Sequence, residues 1–290
     1  MRMSNIDVSI IILNYNTKAL LLACLSSLAK ENPPTDHWEV IVVDNASTDG
    51  SVEVLKQKKN IHIIQNKTNL GFAAGNNVGI KIAKGRYILL LNSDTEVTKD
   101  AIGQMVAFMD AHPKVGVSTC KLLLPDGSMD PACHRGFPTP WAACTYMMGL
   151  ERLFPHSRLF AQYHQGYKDL SNPHEIDSPS GAFFMVRREV MEQVGMLDED
   201  YFMYGEDLDW AYRIKQAGWQ IWFNPQATVL HRKKQSGRAN VDPAIQKQTE
   251  RYFYQTMELF YKKHYEKKYS PVVTWLVYVL LDFKMLLLNV

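Results

Sequence analysis

The residues able to do chemistry in this 290-residue chain fall at the ends of apolar runs. Asn92, Ser93 and Asp94 follow the run at residues 88–91, Asp44 and Asn45 follow the run at 40–43, and Asn14, Tyr15 and Asn16 close the run that starts at Val8. Asx residues make turns and helix caps, which accounts for any one of these alone. Three such ends in successive units point to a shared ligand rim. A carboxylate in that position is a hard oxygen ligand of the kind Mg²⁺ or Mn²⁺ prefers. Further along, Glu206 and Asp207 open a helical pattern after Gly205, and His231 precedes Arg232, Lys233, Lys234 and Arg238. Acids in a first helical turn complement the dipole, and the same field keeps a carboxylate ionised, as a general base requires. The histidine could join an acidic ligand set, and the four cations could grip phosphates.

Several chemistries are excluded. The dinucleotide fingerprint GxGxxG is missing, because "NLGFAAGNNVGI" spaces its glycines at 71, 75 and 79, a helical period suited to close packing. GxxxxGK[ST] is missing too, so a diphosphate would need a divalent cation to screen it, and Asp94 is the candidate ligand. No Ser/His/Asp or Cys/His set suggests a protein nucleophile, and Cys133-His134 has no spaced partners for zinc. A net charge of +2 gives no reason to expect nucleic acid as a partner. Four cysteines without CxxC spacing, and no secretory signal before Val8, fit a reducing cytosol.

The elements that must carry these residues alternate. Strand patterns at residues 8–16, 40–43, 61–64 and 88–91 are separated by helices: one after a Thr17 cap, one near Val52 and one ending at Gly85. A strand at 182–186, a helix at 188–194 and the acidic helix follow, the last with Asp209 and Arg213 paired at i, i+4 on its surface. This order predicts an α/β fold with a mostly parallel central sheet flanked by helices, and ligands beyond the strands' carboxyl ends. Residues 1–240 would form that domain and 241–290 a helical extension. Within the extension, residues 246–265 read as a helix, next to Lys262, Lys263, Lys267 and Lys268. The apolar run after Pro271 is broken by Asp282 and Lys284, short of the ~20 residues a spanning helix needs. Thr274, Tyr278 and Asp282 share one stripe, leaving an apolar face with Trp275, Leu276, Val279 and Phe283. Such a face either lies on an anionic membrane surface or packs on the core or a second subunit of a homo-oligomer.

Taken in order, "VSIIILNYN", "VVDNASTDGS", "NLGFAAGNNVGI", "GRYILLLNSDTEV", "SGAFFMVRREVMEQVGMLDEDYFMYGEDLDWAYRI" and "VLHRKKQSGR" resemble the family-2 inverting glycosyltransferases of GT-A-type fold, particularly their rhamnosyltransferase-like branch. The resemblance covers about residues 8–238. It implies a nucleotide-sugar donor bound by Asn14, Tyr15, Asn16, Asp44, Asn45, Asn69, Asn76, Asn92, Ser93, Arg232 and Arg238, with Asp44 accepting from a pyrimidine base. It also implies Mg²⁺ or Mn²⁺ on Asp94 and His231, and Asp207 as catalytic base beside Glu206. Two positions depart from the family: Asn92 stands where the first Asp of DxD is usual, and Gly75-Asn76-Asn77 where Ala-Arg-Asn is common. The implied reaction is a single in-line displacement that moves a sugar, with rhamnose from a dTDP- or UDP-activated donor the best match. The acceptor would be a saccharide or lipid-linked saccharide in cell-surface polysaccharide synthesis, reached at the inner face of the membrane. Two alternatives remain: an inactive nucleotide-sugar-binding scaffold, and a sugar-nucleotide pyrophosphorylase. The latter needs a glycine-rich basic loop where "LNYNTKALL" has no glycine.

Overall fold

The computed structural model describes residues 6–30, 37–233 and 243–287. Lys234 and Arg238 lie outside the described residues. In the first half β1 (Val8–Asn14), α1 (Lys18–Lys30), β2 (Trp38–Asp44), α2 (Ser51–Leu55), β3 (Ile61–Gln65), α3 (Phe72–Ile82) and β4 (Tyr87–Leu91) alternate as the apolar runs require. Every residue of β4, and all of β1 except Leu13, is buried, as continuous apolar strands covered on both faces should be. The glycines of α3 bring that helix onto the sheet. A Cβ on Gly75 would lie 2.6 Å from Leu13 Cδ1, and one on Gly79 2.7 Å from Ile11 Cγ2.

The second half runs β5 (Thr95–Val97), α4 (Ala101–Ala111), β6 (Val115–Leu123), α5 (Pro140–Met147), α6 (Leu150–Leu153), β7 (His174–Glu175), β8 (Phe183–Arg187), α7 (Arg188–Val194), α8 (Glu206–Gln216), β9 (Gln220–His231), α9 (Pro243–His264) and α10 (Pro271–Leu287). The sheet order is β3-β2-β1-β4-β8-β6-β9-β5, with β7 on β9. The stretch β3-β2-β1-β4 is parallel, but β8 runs against both β4 and β6, so the sheet as a whole is mixed. The reversal matters for the site. Because Leu91 pairs with Phe183, the carboxyl end of β4 meets the amino end of β8.

Three local expectations are corrected. Thr17 stands at the N-cap of α1, its carbonyl accepting the Leu21 amide (2.9 Å), but its hydroxyl donates to Asn14 Oδ1 (2.8 Å) and Asp49 Oδ2 receives the Lys18 amide (2.8 Å). The Asp209–Arg213 pair is not a surface pair. Asp209 is 1% exposed and held by Arg213 Nε at 2.8 Å and His264 Nε2 at 2.7 Å, which ties α9 to α8. In the lysine cluster, Lys263 pairs with Asp198 and Asp200 and Lys268 donates to Tyr212, so two of the four cations serve the fold. α10 seats on α9 through its polar stripe: Thr274 Oγ1 lies 3.0 Å from the Tyr261 hydroxyl, and Tyr278 donates to Glu266 (2.9 Å). Its apolar face, with Trp275, Leu276, Val279 and Phe283, is exposed. Among the described residues no helix is long and apolar enough to cross a membrane.

Candidate active site

At the strand ends the polar side chains form one hydrogen-bonded lattice. Asn14 Nδ2 donates to Asp44 Oδ2 (2.8 Å), the Ser47 amide donates to Asp44 Oδ1 (2.8 Å), and Asp44 is fully buried. Asn16, with φ of 53°, receives the Thr48 amide on its side chain, and Tyr15 beside it is half exposed. Asn45 donates to Asn69 Oδ1 and to the Gly71 carbonyl, while Asn69 receives the Gly71 amide. Asn76 is different. It is buried within α3 and donates back to the Phe72 carbonyl (2.9 Å), so it braces the helix. Ser93 Oγ stands 2.9 Å from Thr17 Oγ1, linking the turn after β4 to the turn after β1.

Asp94 and His231 lie side by side. β5 pairs antiparallel with β9, and His231 Nε2 lies 3.3 Å from Asp94 Oδ1. On its far side, His231 Nδ1 is 2.8 Å from Asp130 Oδ2, a fully buried carboxylate that Lys233 also contacts at 2.9 Å. Burial works against a charged His231, but the hydrogen bonds to Asp130 and Asp94 outweigh it and raise the ring to about 9. As it stands the contact is an ion pair between the charged ring and Asp94; on loss of that proton the two would offer an imidazole nitrogen and a hard carboxylate oxygen, donors that Mg²⁺ or Mn²⁺ accepts. A carboxylate behind the imidazole is the usual means of orienting a metal-binding histidine. Among the described residues no third His, Cys, Asp or Glu joins them, which leaves the rest of a shell to water and donor oxygens. Arg232 donates its amide to the Asp94 carbonyl (2.8 Å), and its guanidinium pairs with Glu96 across the β5–β9 edge.

The acidic pair sits at the start of α8, where Gly205 adopts φ of 79°. Asp207 Oδ2 accepts from Arg135 Nη2 (2.7 Å) and the Gly181 amide (3.2 Å), and Oδ1 accepts from the Leu208 amide (2.7 Å). The next residue, Ala182, receives the Asn92 amide on its carbonyl (3.2 Å). Asp207 and the Asn92–Ser93–Asp94 turn are therefore anchored on adjacent residues of the turn that leads into β8. Arg135 and Asp130 are joined by five residues of chain, which can span at most ~18 Å. That segment connects the backing of His231 to the partner of Asp207.

Glu206 does not behave as the helix field alone suggests. Burial first, and Asp207 second, push its carboxyl up to about 8, so it holds a proton at neutral pH. Its Oε2 has no hydrogen-bond partner among the described residues. Sequence reasoning missed Asp130, Arg135 and Gly181. Arg135 and Gly181 lie within "CHRGF" and "SPSGA", and neither stretch signals a carboxylate partner.

A mixed sheet with a carboxylate turn after β4 and an acidic pair heading α8 is the GT-A glycosyltransferase arrangement. A mannosyltransferase from Pyrobaculum calidifontis superimposes with a TM-score of 0.62 at 17% identity, over 96% of this chain and 68% of its own. Staphylococcus aureus TarS 1–349 gives 0.57 at 20% identity, and this chain, 88% covered, spans 64% of it. At such identities the likeness speaks for the fold. The chain belongs to glycosyl transferase family 2, whose description matches residues 9–195. It is 30% identical over 233 residues to an N-acetylglucosaminyl-diphospho-decaprenol L-rhamnosyltransferase of Mycobacterium tuberculosis (strain ATCC 25618 / H37Rv), covering 75% of this chain and 72% of that one. Over 108 residues it is 34% identical to the poly(ribitol-phosphate) beta-N-acetylglucosaminyltransferase TarS of S. aureus (strain MW2), 36% of this chain and 19% of that one. The pyrophosphorylase alternative falls away.

Proposed function

We propose that the chain transfers a sugar, with inversion, from a nucleotide-activated donor to a saccharide or lipid-linked saccharide acceptor in cell-surface polysaccharide synthesis. The observation that carries this reading is the anchoring of Asp207 and the Asp94 turn on Gly181 and Ala182. A base and a diphosphate site must lie on either side of one anomeric carbon for an in-line displacement. Asp207 Oδ2 is engaged by Arg135 and Gly181, so Oδ1, held by the Leu208 amide, is the atom to take the acceptor proton. As the acceptor oxygen bonds to the anomeric carbon and gives its proton to Asp207, the bond from that carbon to the diphosphate oxygen breaks and its electron pair leaves on the diphosphate. Asp94 and His231 would hold Mg²⁺ or Mn²⁺, which supplies charge neutralisation for the departing diphosphate. Asp44 and the Asn14–Asn16 turn would take the nucleoside.

For the sugar, rhamnose from a dTDP- or UDP-linked donor is favoured by the mycobacterial relative. Solved neighbours were captured with UDP-GlcNAc or with GDP-Man and Mn²⁺, which supports a nucleotide-sugar and a divalent cation here. We treat residues 241–290 as an extension of a 1–240 domain, with the outer face of α10 toward the inner leaflet. A thermal-shift panel of dTDP-, UDP- and GDP-sugars, with Mn²⁺ or EDTA, tests the reading. A pyrimidine nucleotide-sugar should raise Tm with Mn²⁺ and be hydrolysed slowly without acceptor. No shift and no hydrolysis with any donor would overturn it.

A further inference from the structure

Away from the strand-end rim, His134 and His174 face each other ring to ring. His134 immediately precedes Arg135 in the chain and is 1% exposed. His174 belongs to β7, which pairs only with β9, and is half-buried. The two Nε2 atoms lie 2.6 Å apart. Each ring turns its Nδ1 to a backbone carbonyl, His134 to that of His164 (2.9 Å) and His174 to that of Asn172 (2.8 Å). Phe223 packs against both rings, with centroids 5.1 and 5.4 Å away.

This row of three contacts needs three protons, because a carbonyl only accepts. Two neutral imidazoles carry two. With both given to the carbonyls, two bare Nε2 lone pairs point at one another, and a cation must stand between them. A third proton is disfavoured at neutral pH. Burial first, with the charge of His174 and Lys168 added to it, lowers His134 to about 4, and burial lowers His174 as well. Asp169 acts on His174 in the other direction and does not offset this. The pair therefore offers two unprotonated nitrogens, each ring oriented by a hydrogen bond from its other nitrogen, which is how metal-binding imidazoles are held.

We propose that His134 and His174 form a second metal site, for an ion of the Zn²⁺ class, which imidazole suits better than it suits Mg²⁺. A tetrahedral ion with bonds of about 2.0–2.1 Å sets its nitrogens about 3.3 Å apart, so the rings part by less than about 1 Å on loading. His174, half-buried on its two-residue strand, is the ring placed to move. Among the described residues no third His, Cys, Asp or Glu joins the pair, so water completes the shell. The site shares no ligand with Asp94 and His231. It ties β7 to the segment that carries Arg135, and so braces the partner of Asp207 from outside the donor site.

The test titrates Zn²⁺ alone into the EDTA-stripped full chain at neutral pH, by calorimetry, in an Asp94→Ala background that removes the other candidate ligand set. One Zn²⁺ per chain is expected. Adding His174→Ala should weaken it at least about tenfold, since even an outer partner of a metal ligand is worth that much. Zn²⁺, and not Mg²⁺, should also shield His174 from acylation by diethyl pyrocarbonate, mapped by mass spectrometry. If circular dichroism shows that the His174→Ala chain does not fold, the shielding decides alone. Equal affinity with and without His174, or equal acylation with and without Zn²⁺, overturns the site and leaves the pair a shared proton at most.

Discussion

The strand-end rim and the groove that opens beyond Asp207 between α5, α9 and α10 are built on opposite plans. At the rim, Asn14, Asp44, Asn45, Asn69 and Ser93 hold one another, and most of their hydrogen-bonding capacity is engaged within the chain. The groove side leaves buried polar atoms without partners, Glu206 Oε2 and Arg135 Nε among them, next to walls that carry tyrosines as well as apolar residues. A satisfied lattice is rigid and can present a fixed surface to a nucleotide, a ligand common to many enzymes. A site with unmet polar atoms is costly to maintain and gains most when its own ligand arrives. The comparison assigns chemistry to the second region and positioning to the first, and it can be broken at five residues.

The largest effect is expected at the boundary between them. Asp207→Asn keeps the contacts of the side chain with Arg135 and Gly181 but cannot accept a proton. Transfer should fall by about 10²–10⁴-fold, the usual contribution of a general base, while calorimetry finds nucleoside diphosphate binding nearly unchanged. Near-normal transfer would move the base to Glu206 or elsewhere. Removing the other half of the ion pair should cost stability instead. Arg135 and Asp207 are both buried, and Arg135→Ala leaves a carboxylate there without its cation. A loss of about 3–5 kcal/mol in chemical denaturation is expected, and a loss under 1 kcal/mol would mean that water replaces the guanidinium.

The two regions also differ in how far they could be read from residues alone. Asp44 and Asp94 stand out because an apolar strand ends abruptly on each, a purely local pattern. The α3 glycines are local too, since only a missing Cβ lets the helix approach Leu13 and Ile11. Arg135, Asp130 and Gly181 carry no such mark. Their roles exist only because β8 is inserted antiparallel between β4 and β6, and the pairing of strands 92–100 and 67–69 residues apart is not encoded in any short window. Arg232 illustrates another non-local effect. A cation beside a histidine suggests phosphate, and the β5–β9 pairing adds a partner for it, Glu96, that no short window reveals. The groove was the least legible part, because its walls come from α5, α8, α9 and α10, which meet only in the folded chain.

A smaller effect probes the rim. Asp94→Ala should abolish the gain in nucleoside diphosphate affinity that Mn²⁺ gives over EDTA. Asp130→Asn should weaken that gain about 10–100-fold, because Asp130 orients His231 from behind. Equal affinity with Mn²⁺ and EDTA in the wild type would remove the metal from the site.

The smallest effect is the one that most directly separates burial from charge. Glu206 is raised from 4.5 to about 8, chiefly because burial penalises its ionised form. The folded chain therefore binds this proton more tightly than the unfolded chain does. The stability this contributes is complete below the ordinary carboxyl range and is lost as pH rises toward and through about 8. Glu206→Gln has the same shape and nothing to ionise, so it should come closest to the wild type near pH 4, below the ordinary carboxyl value. At pH 9 it should be more stable than the wild type by at least about 1 kcal/mol, the size of one pKa unit. Denaturant melts of both proteins at the two pH values measure this. Transfer by the variant should survive at a reduced level, since Asp207 is untouched. If the variant is no more stable at pH 9, Glu206 is already solvated there, and the contrast between a satisfied rim and an unsatisfied groove fails at its clearest residue.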